Sequence, residues 1–116
     1  MNKESRVSIW FGSFKTEEQF DDFLRETYDE EGDVYSQFMD AFKIDHIDGD
    51  YQETLYDREI NYSKLEPASY SESFLDKISI NFSDYNCVVL IYDFDYSGGI
   101  KEVSGLKFYG VFDYEK

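Results

Sequence analysis

Residues 7–28, VSIWFGSFKTEEQFDDFLRETY, read as one strand running directly into one helix. Val7, Ile9 and Phe11 recur at every second position, the signature of a strand with a buried face. Trp10 falls on the opposite face, so that face is expected to be at least partly covered as well. Thr16 stands three residues before Gln19, a capping-box spacing that satisfies orphan backbone donors at a helix start. Phe20, Phe23, Leu24 and Tyr28 then form one apolar stripe at helical spacing. The helix is expected to run from Thr16 to about Glu30, with Gly32 as its stop. Its other face carries Glu18, Asp22, Glu26 and Asp29. Asp21 and Arg25 make the one favourable i,i+4 pair, whereas Glu17/Asp21 and Glu18/Asp22 repel. A solvated helix face accounts for these acids as well as a binding surface does.

Working outward, Ser36 is placed to cap a short helix through Phe42, with Phe38, Met39 and Phe42 on its buried edge. Asp48-Gly49-Asp50 reads as a turn, and residues 51–60 as a strand whose alternation is blurred by charge. Pro67, the only proline, breaks whatever precedes it. Ser69 or Ser71 can cap a further helix carrying Phe74, Leu75 and Ile78. Residues 87–92, CVVLIY, are a continuous apolar run rich in β-branched side chains, the pattern of a strand covered on both faces. Leu106, Phe108, Phe112 and Tyr114 alternate with polar neighbours and mark another strand. Gly98, Gly99 and Gly105 punctuate the link, so an antiparallel hairpin of these two strands is the economical arrangement. The fold class that follows is α+β: a small, mostly antiparallel sheet packed against two or three helices. No repeat or linker interrupts the 116 residues, so 1–116 is expected to be a single domain.

A chain that is 41% hydrophobic and 20% aromatic can build a core without metal or disulfides. No apolar run approaches the roughly 18 residues of a membrane helix. The N-terminal MNKESR carries no secretory h-region, and the single cysteine lies in an apolar strand, so a cytoplasmic location is expected. The charge is the informative quantity: 26 acids against 11 Lys and Arg, a net of −15. Residues 17–33 hold nine acids and Arg25, and residues 40–59 hold seven acids against Lys43 and Arg58. A field clustered in this way steers basic partners. It disfavours direct binding of DNA or RNA, which needs Lys and Arg to neutralise phosphates.

Little in the chain suggests catalysis. His46, the only histidine, sits between Asp45 and Asp48, and one imidazole among loop aspartates fits a charged surface loop better than a metal or proton-relay site. Cys87 has apolar neighbours and no electropositive setting, so it reads as core. Neither acidic turn fits an EF-hand register: with Gly32 at position 6 the first and twelfth ligands would be Thr27 and Phe38, and with Gly49 they would be Ile44 and Leu55. No phosphate-binding glycine loop occurs. No cofactor or metal is expected, and no enzyme activity.

The order and spacing of several segments resemble the immunity protein 22 family of bacterial polymorphic toxin systems. These are VSIWFGSF (7–14) leading into TEEQF (16–20), Gly32-Asp33, SQFM (36–39), FKID (42–45), the acidic turn ending at Tyr51, Ser69-Tyr70, Phe74 and the 87–92 strand. Residues 53–68 match least. The resemblance implies an inhibitor that binds the toxic C-terminal domain of a cognate toxin, in many cases a nuclease, and it transfers no catalytic or contact residues. Set beside the charge distribution, it nominates a partner-binding surface for a basic toxin domain: Glu18, Asp22, Glu26 and Asp29, the turn with Glu30, Glu31 and Asp33, and the loop with Asp45, Asp48 and Asp50. Tyr35 and Tyr51 are its candidate aromatic anchors, since tyrosine is enriched in interface hot spots. Ordinary partial burial is the competing reading for both tyrosines. Two other functions stay open: an acidic nucleic-acid mimic directed at a cellular DNA-binding protein, and a metal-binding protein or enzyme centred on His46.

Overall fold

A computed structural model describes residues 2–44, 47, 51–103 and 105–115. Its main element is a five-stranded antiparallel sheet built from β1 (Asn2–Gly12), β4 (Gln52–Tyr56), β5 (Cys87–Phe94), β6 (Glu102–Val103) and β7 (Leu106–Asp113), in the order β4-β5-β1-β7-β6. A separate two-stranded ribbon joins β2 (Thr27–Tyr28) to β3 (Val34–Tyr35). Among the described residues, three α-helices, α1 (Glu17–Leu24), α2 (Gln37–Phe42) and α3 (Tyr62–Leu65), make the architecture α+β.

β1 is the central strand, and both of its faces are sealed. Val7, Ile9 and Phe11 join Val88, Leu90, Tyr92, Leu65, Phe74, Ile78 and Tyr114 in a core on one face. Trp10 joins Cys87, Val89, Ile91, Phe20, Phe23, Phe38, Met39 and Phe42 in a second core on the other. The Trp10 ring is enclosed by Phe38, Phe42, Tyr96 and Phe108, with centroids 5.0–5.8 Å away. Its indole Nε1 has no hydrogen-bond partner among the described residues. Double coverage suits a strand hydrogen-bonded on both edges, and β5 shows the same continuous burial expected of residues 87–92.

The expected pairing of the last two long strands is replaced by insertion of β1 between them. β5 pairs with β1, and β1 with β7. The physical reason is that β1 offers apolar side chains on both faces and so gains most from the centre. The glycines of the link serve other ends: Gly105, at φ +89°, turns the short β6–β7 hairpin. A register shift opposite Ile9 and Trp10 inserts an extra residue in β7 near Tyr109. It separates side chains that simple alternation places together, so Phe108 packs with the Trp10 core while Phe112 and Tyr114 pack with the other.

The expected serine-capped helix after Pro67 is instead a pair of 3-10 turns, Ser71–Ser73 and Leu75–Lys77. Ser71 Oγ donates backwards to Glu66 O (2.7 Å), and Tyr70 precedes the first turn in the left-handed region. Neither serine is therefore a cap. Phe74 and Ile78 are buried as expected. The blurred strand of 51–60 is the five residues of β4.

Candidate functional site

The acidic segment is built on α1. Thr16 caps it, its hydroxyl accepting from Gln19 N at 3.2 Å. Phe20 and Phe23 bury the inner face, each contributing about 1.5–3 kcal/mol of apolar burial. Glu17, Glu18 and Asp21 stand exposed on the outside. The helix stops at Leu24 rather than near Glu30, because Arg25 turns to an extended conformation (φ −61°, ψ 126°). Continuing it would stack Glu26 over Asp22 and put Glu26, Asp29 and Glu30 at the negative end of the helix dipole. Arg25 bonds Asp22 at 2.6 Å, one residue away from the expected Asp21 pairing.

The chain then forms the β2–β3 ribbon, with Thr27 opposite Tyr35 and Tyr28 opposite Val34. Asp29 anchors its turn. One carboxylate oxygen accepts from both Glu31 N and Asp33 N at 2.9 Å, and Asp29 N donates to Asp33 O at 3.0 Å. Gly32 supplies the positive φ (+86°) that the turn requires. Glu26 and Asp29 thus belong to the ribbon and its approach rather than to the helix face. Glu26, Glu30, Glu31 and Asp33 are all exposed. Tyr28, expected in the core stripe, is 69% exposed. A Thr-Tyr pair directly before an Asp/Gly turn is the strand signal that would have placed it outside.

Ser36 caps α2 as expected, accepting from Met39 N at 3.1 Å, and α2 lies against α1. Between the end of α1, the ribbon and the start of α2 runs an open groove of about 380 Å³, lined by Asp22, Arg25, Thr27, Tyr35, Gln37 and Asp40 among others. Tyr35, 44% exposed, forms part of its wall, and Gln37 Nε2 donates to Asp22 O across it at 3.4 Å. Tyr51 stands immediately before β4 and is 46% exposed. Asp45, His46, Asp48, Gly49 and Asp50 lie outside the described residues, and so do the turn and the histidine cluster expected there.

Potential nucleophiles elsewhere are suppressed. Burial pushes the Cys87 thiol up to about 12, against a weaker lowering from its contact with the Gly12 backbone. Burial also raises Tyr92 and Tyr114, and Tyr114 donates to the Asp93 carboxylate, which reinforces its shift. Among the described residues no group of three or more His, Cys, Asp or Glu is placed to hold a metal. No described helix is long and apolar enough to cross a membrane.

Comparison with curated proteins and with solved structures gives no match. Comparison with protein families does: the model of the family described as Immunity protein 22 matches residues 7–115, from the buried Val7 of β1 to just past β7. The chain belongs to the Immunity protein 22 family, and that membership carries an antitoxin role.

Proposed function

We propose that this protein neutralises the toxic domain of a cognate toxin by laying the acidic surface of α1 and the β2–β3 ribbon over a basic surface of that domain. The toxin class that best suits this surface is a nuclease, whose phosphate-binding residues are cationic. The observation that carries the proposal is the exposure of nearly every acid in residues 17–33, a segment of net charge −8, alongside the outward Tyr28 and Tyr35. Charge complementarity of this kind mainly accelerates encounter and excludes wrong partners, while buried aromatic contacts slow dissociation. Glu18, Glu26, Glu30, Glu31 and Asp33 are assigned to steering. Tyr28 and Tyr35 are assigned to anchoring, and Asp22 and Asp29 to shaping the groove and the turn. Tyr51, exposed just before β4, is a further candidate anchor in this reading.

Two measurements test it. Co-expression with the toxin encoded next to the gene should restore growth, and failure to protect would remove the inhibitory role. Replacing Glu26, Glu30 and Glu31 together by Gln should lower the association rate at least tenfold at low salt and much less at high salt. An on-rate insensitive to both changes would sink the electrostatic part.

A further inference from the structure

The second edge of the main sheet is left open. β6 covers only the start of β7, through Val103↔Leu106 and Glu102↔Lys107, and Phe108 N donates to Lys101 O at 2.7 Å. Beyond that point residues 110–113 pair with β1 on one side, and no described residue supplies a backbone partner on the other. The stretch 108–112, FYGVF, holds no charge and no proline, two of the devices that blunt a free edge, and the bulge at Tyr109 lies at its start. Val111 and Phe112 are only partly covered there.

Charge is segregated across the sheet. The acidic α1 packs at the β4 side, where Phe20 meets Tyr56 with ring centroids 6.0 Å apart, and β4 is the edge opposite to β7. Residues 1–16 and 100–115, which supply β1, β6 and β7, together carry a net charge of +1, and the neighbouring Asp93, Asp95, Glu72 and Lys77 bring the region to −1 in a chain of −15. A cationic partner finds its counterpart on the acidic α1 segment. The β7 edge is where a like-charged molecule meets least repulsion.

We propose that the outer edge of β7 pairs antiparallel with the same edge of a second copy, joining two five-stranded sheets across a two-fold axis. The edge is complementary to itself. Antiparallel pairing about Val111 sets Val111 against Val111 and keeps the two Asp113 carboxylates at opposite ends of the seam. Lys107 lies outside that seam, opposite Glu102 of β6. The Asp113 side chain remains 74% exposed although Arg6 bonds it at 2.5 Å. An edge of about five residues is shorter than a standard interface of ~1,600 Å² provides for, so the dimer is weak and concentration-dependent. The proposal is independent of the toxin-binding reading, because it concerns the protein alone and the opposite side of the sheet.

Sedimentation equilibrium of the full chain, from micromolar to near-millimolar protein, tests it. The apparent mass is expected to rise from one copy towards two. Val111→Lys and Gly110→Glu, each of which sets like charges against each other across the two-fold axis, should each weaken association at least tenfold. Far-UV circular dichroism and the fluorescence of the buried Trp10 report whether each variant is folded. Gly110→Glu brings its Cβ only into ordinary contact with the Phe112 ring and keeps the test decisive if Val111→Lys unfolds. A monomer at every concentration overturns the proposal, as does full-strength dimerisation of either folded variant. The Glu26, Glu30 and Glu31 to Gln variant should dimerise as wild type does; loss of its dimer would instead assign self-association to the acidic side and overturn this one.

Discussion

Ser8 is a fully buried polar side chain in the central strand, and both of its hydrogen-bonding roles are used. Its hydroxyl donates to Phe94 O at 2.7 Å and accepts from Tyr96 N at 2.9 Å, tying β1 to the end of β5 where Asp93 takes a positive φ of 55°. Ser8→Ala leaves two backbone groups unpaired in the core and should cost about 2–4 kcal/mol, read as a shift in the urea midpoint. Asp57 shows the electrostatic counterpart at the surface. Its carboxyl is held below the ordinary value of 3.8, first by the Glu59 N–H and then by Lys64 at 3.1 Å. A depressed folded value means that this group stabilises the fold above its ordinary range, and that the contribution is lost as pH falls through the folded value. Lys64→Met should raise the Asp57 titration only part of the way to 3.8, because the Glu59 N–H remains. A carboxyl-detected NMR titration measures this, and an unmoved midpoint would show that the lysine contributes nothing. Neither Ser8's bonds nor the Asp57 clasp is legible in the sequence, since the serine's partners lie 86 and 88 residues away and the lysine across a turn.

At the scale of the element, two of the three expected caps were readable, and the ends were not. Thr16 and Ser36 each accept from the backbone three residues on, a relation contained within four consecutive positions. Thr16→Ala should lower stability by about 1 kcal/mol, observed as a lower Tm, and should leave the β2–β3 ribbon in place. The end of α1 depended on a competition. Thr27 and Tyr28 could extend the stripe of Phe20 and Phe23 or pair with Val34 and Tyr35, and the acids at Glu26, Asp29 and Glu30 made the helical choice costly. That outcome converts Tyr28 from an expected core residue into an exposed aromatic beside the acidic turn. The β7 bulge is a second case. Strict alternation puts Phe112 and Tyr114 with Phe108, and one inserted residue sends them to the other core.

Across the whole molecule, clustered acids repel one another as well as attract a partner. Screening should therefore stabilise the free protein, and calorimetry should show Tm rising between low and high NaCl. A constant or falling Tm would mean that the acids are already balanced within the fold. Several whole-molecule properties were determined by sequence alone: the double burial of β1 and β5, the α+β class, and the concentration of negative charge in residues 17–59. Each follows from composition or from the spacing of near neighbours, which the chain carries before it folds. The tertiary structure alone decided that β1 divides β5 from β7, that the acidic α1 lies at the β4 side, and that the β7 edge is left open beside a far less acidic region. These depend on which distant backbone donors find acceptors and which faces are sealed first, and residue spacing does not encode that competition.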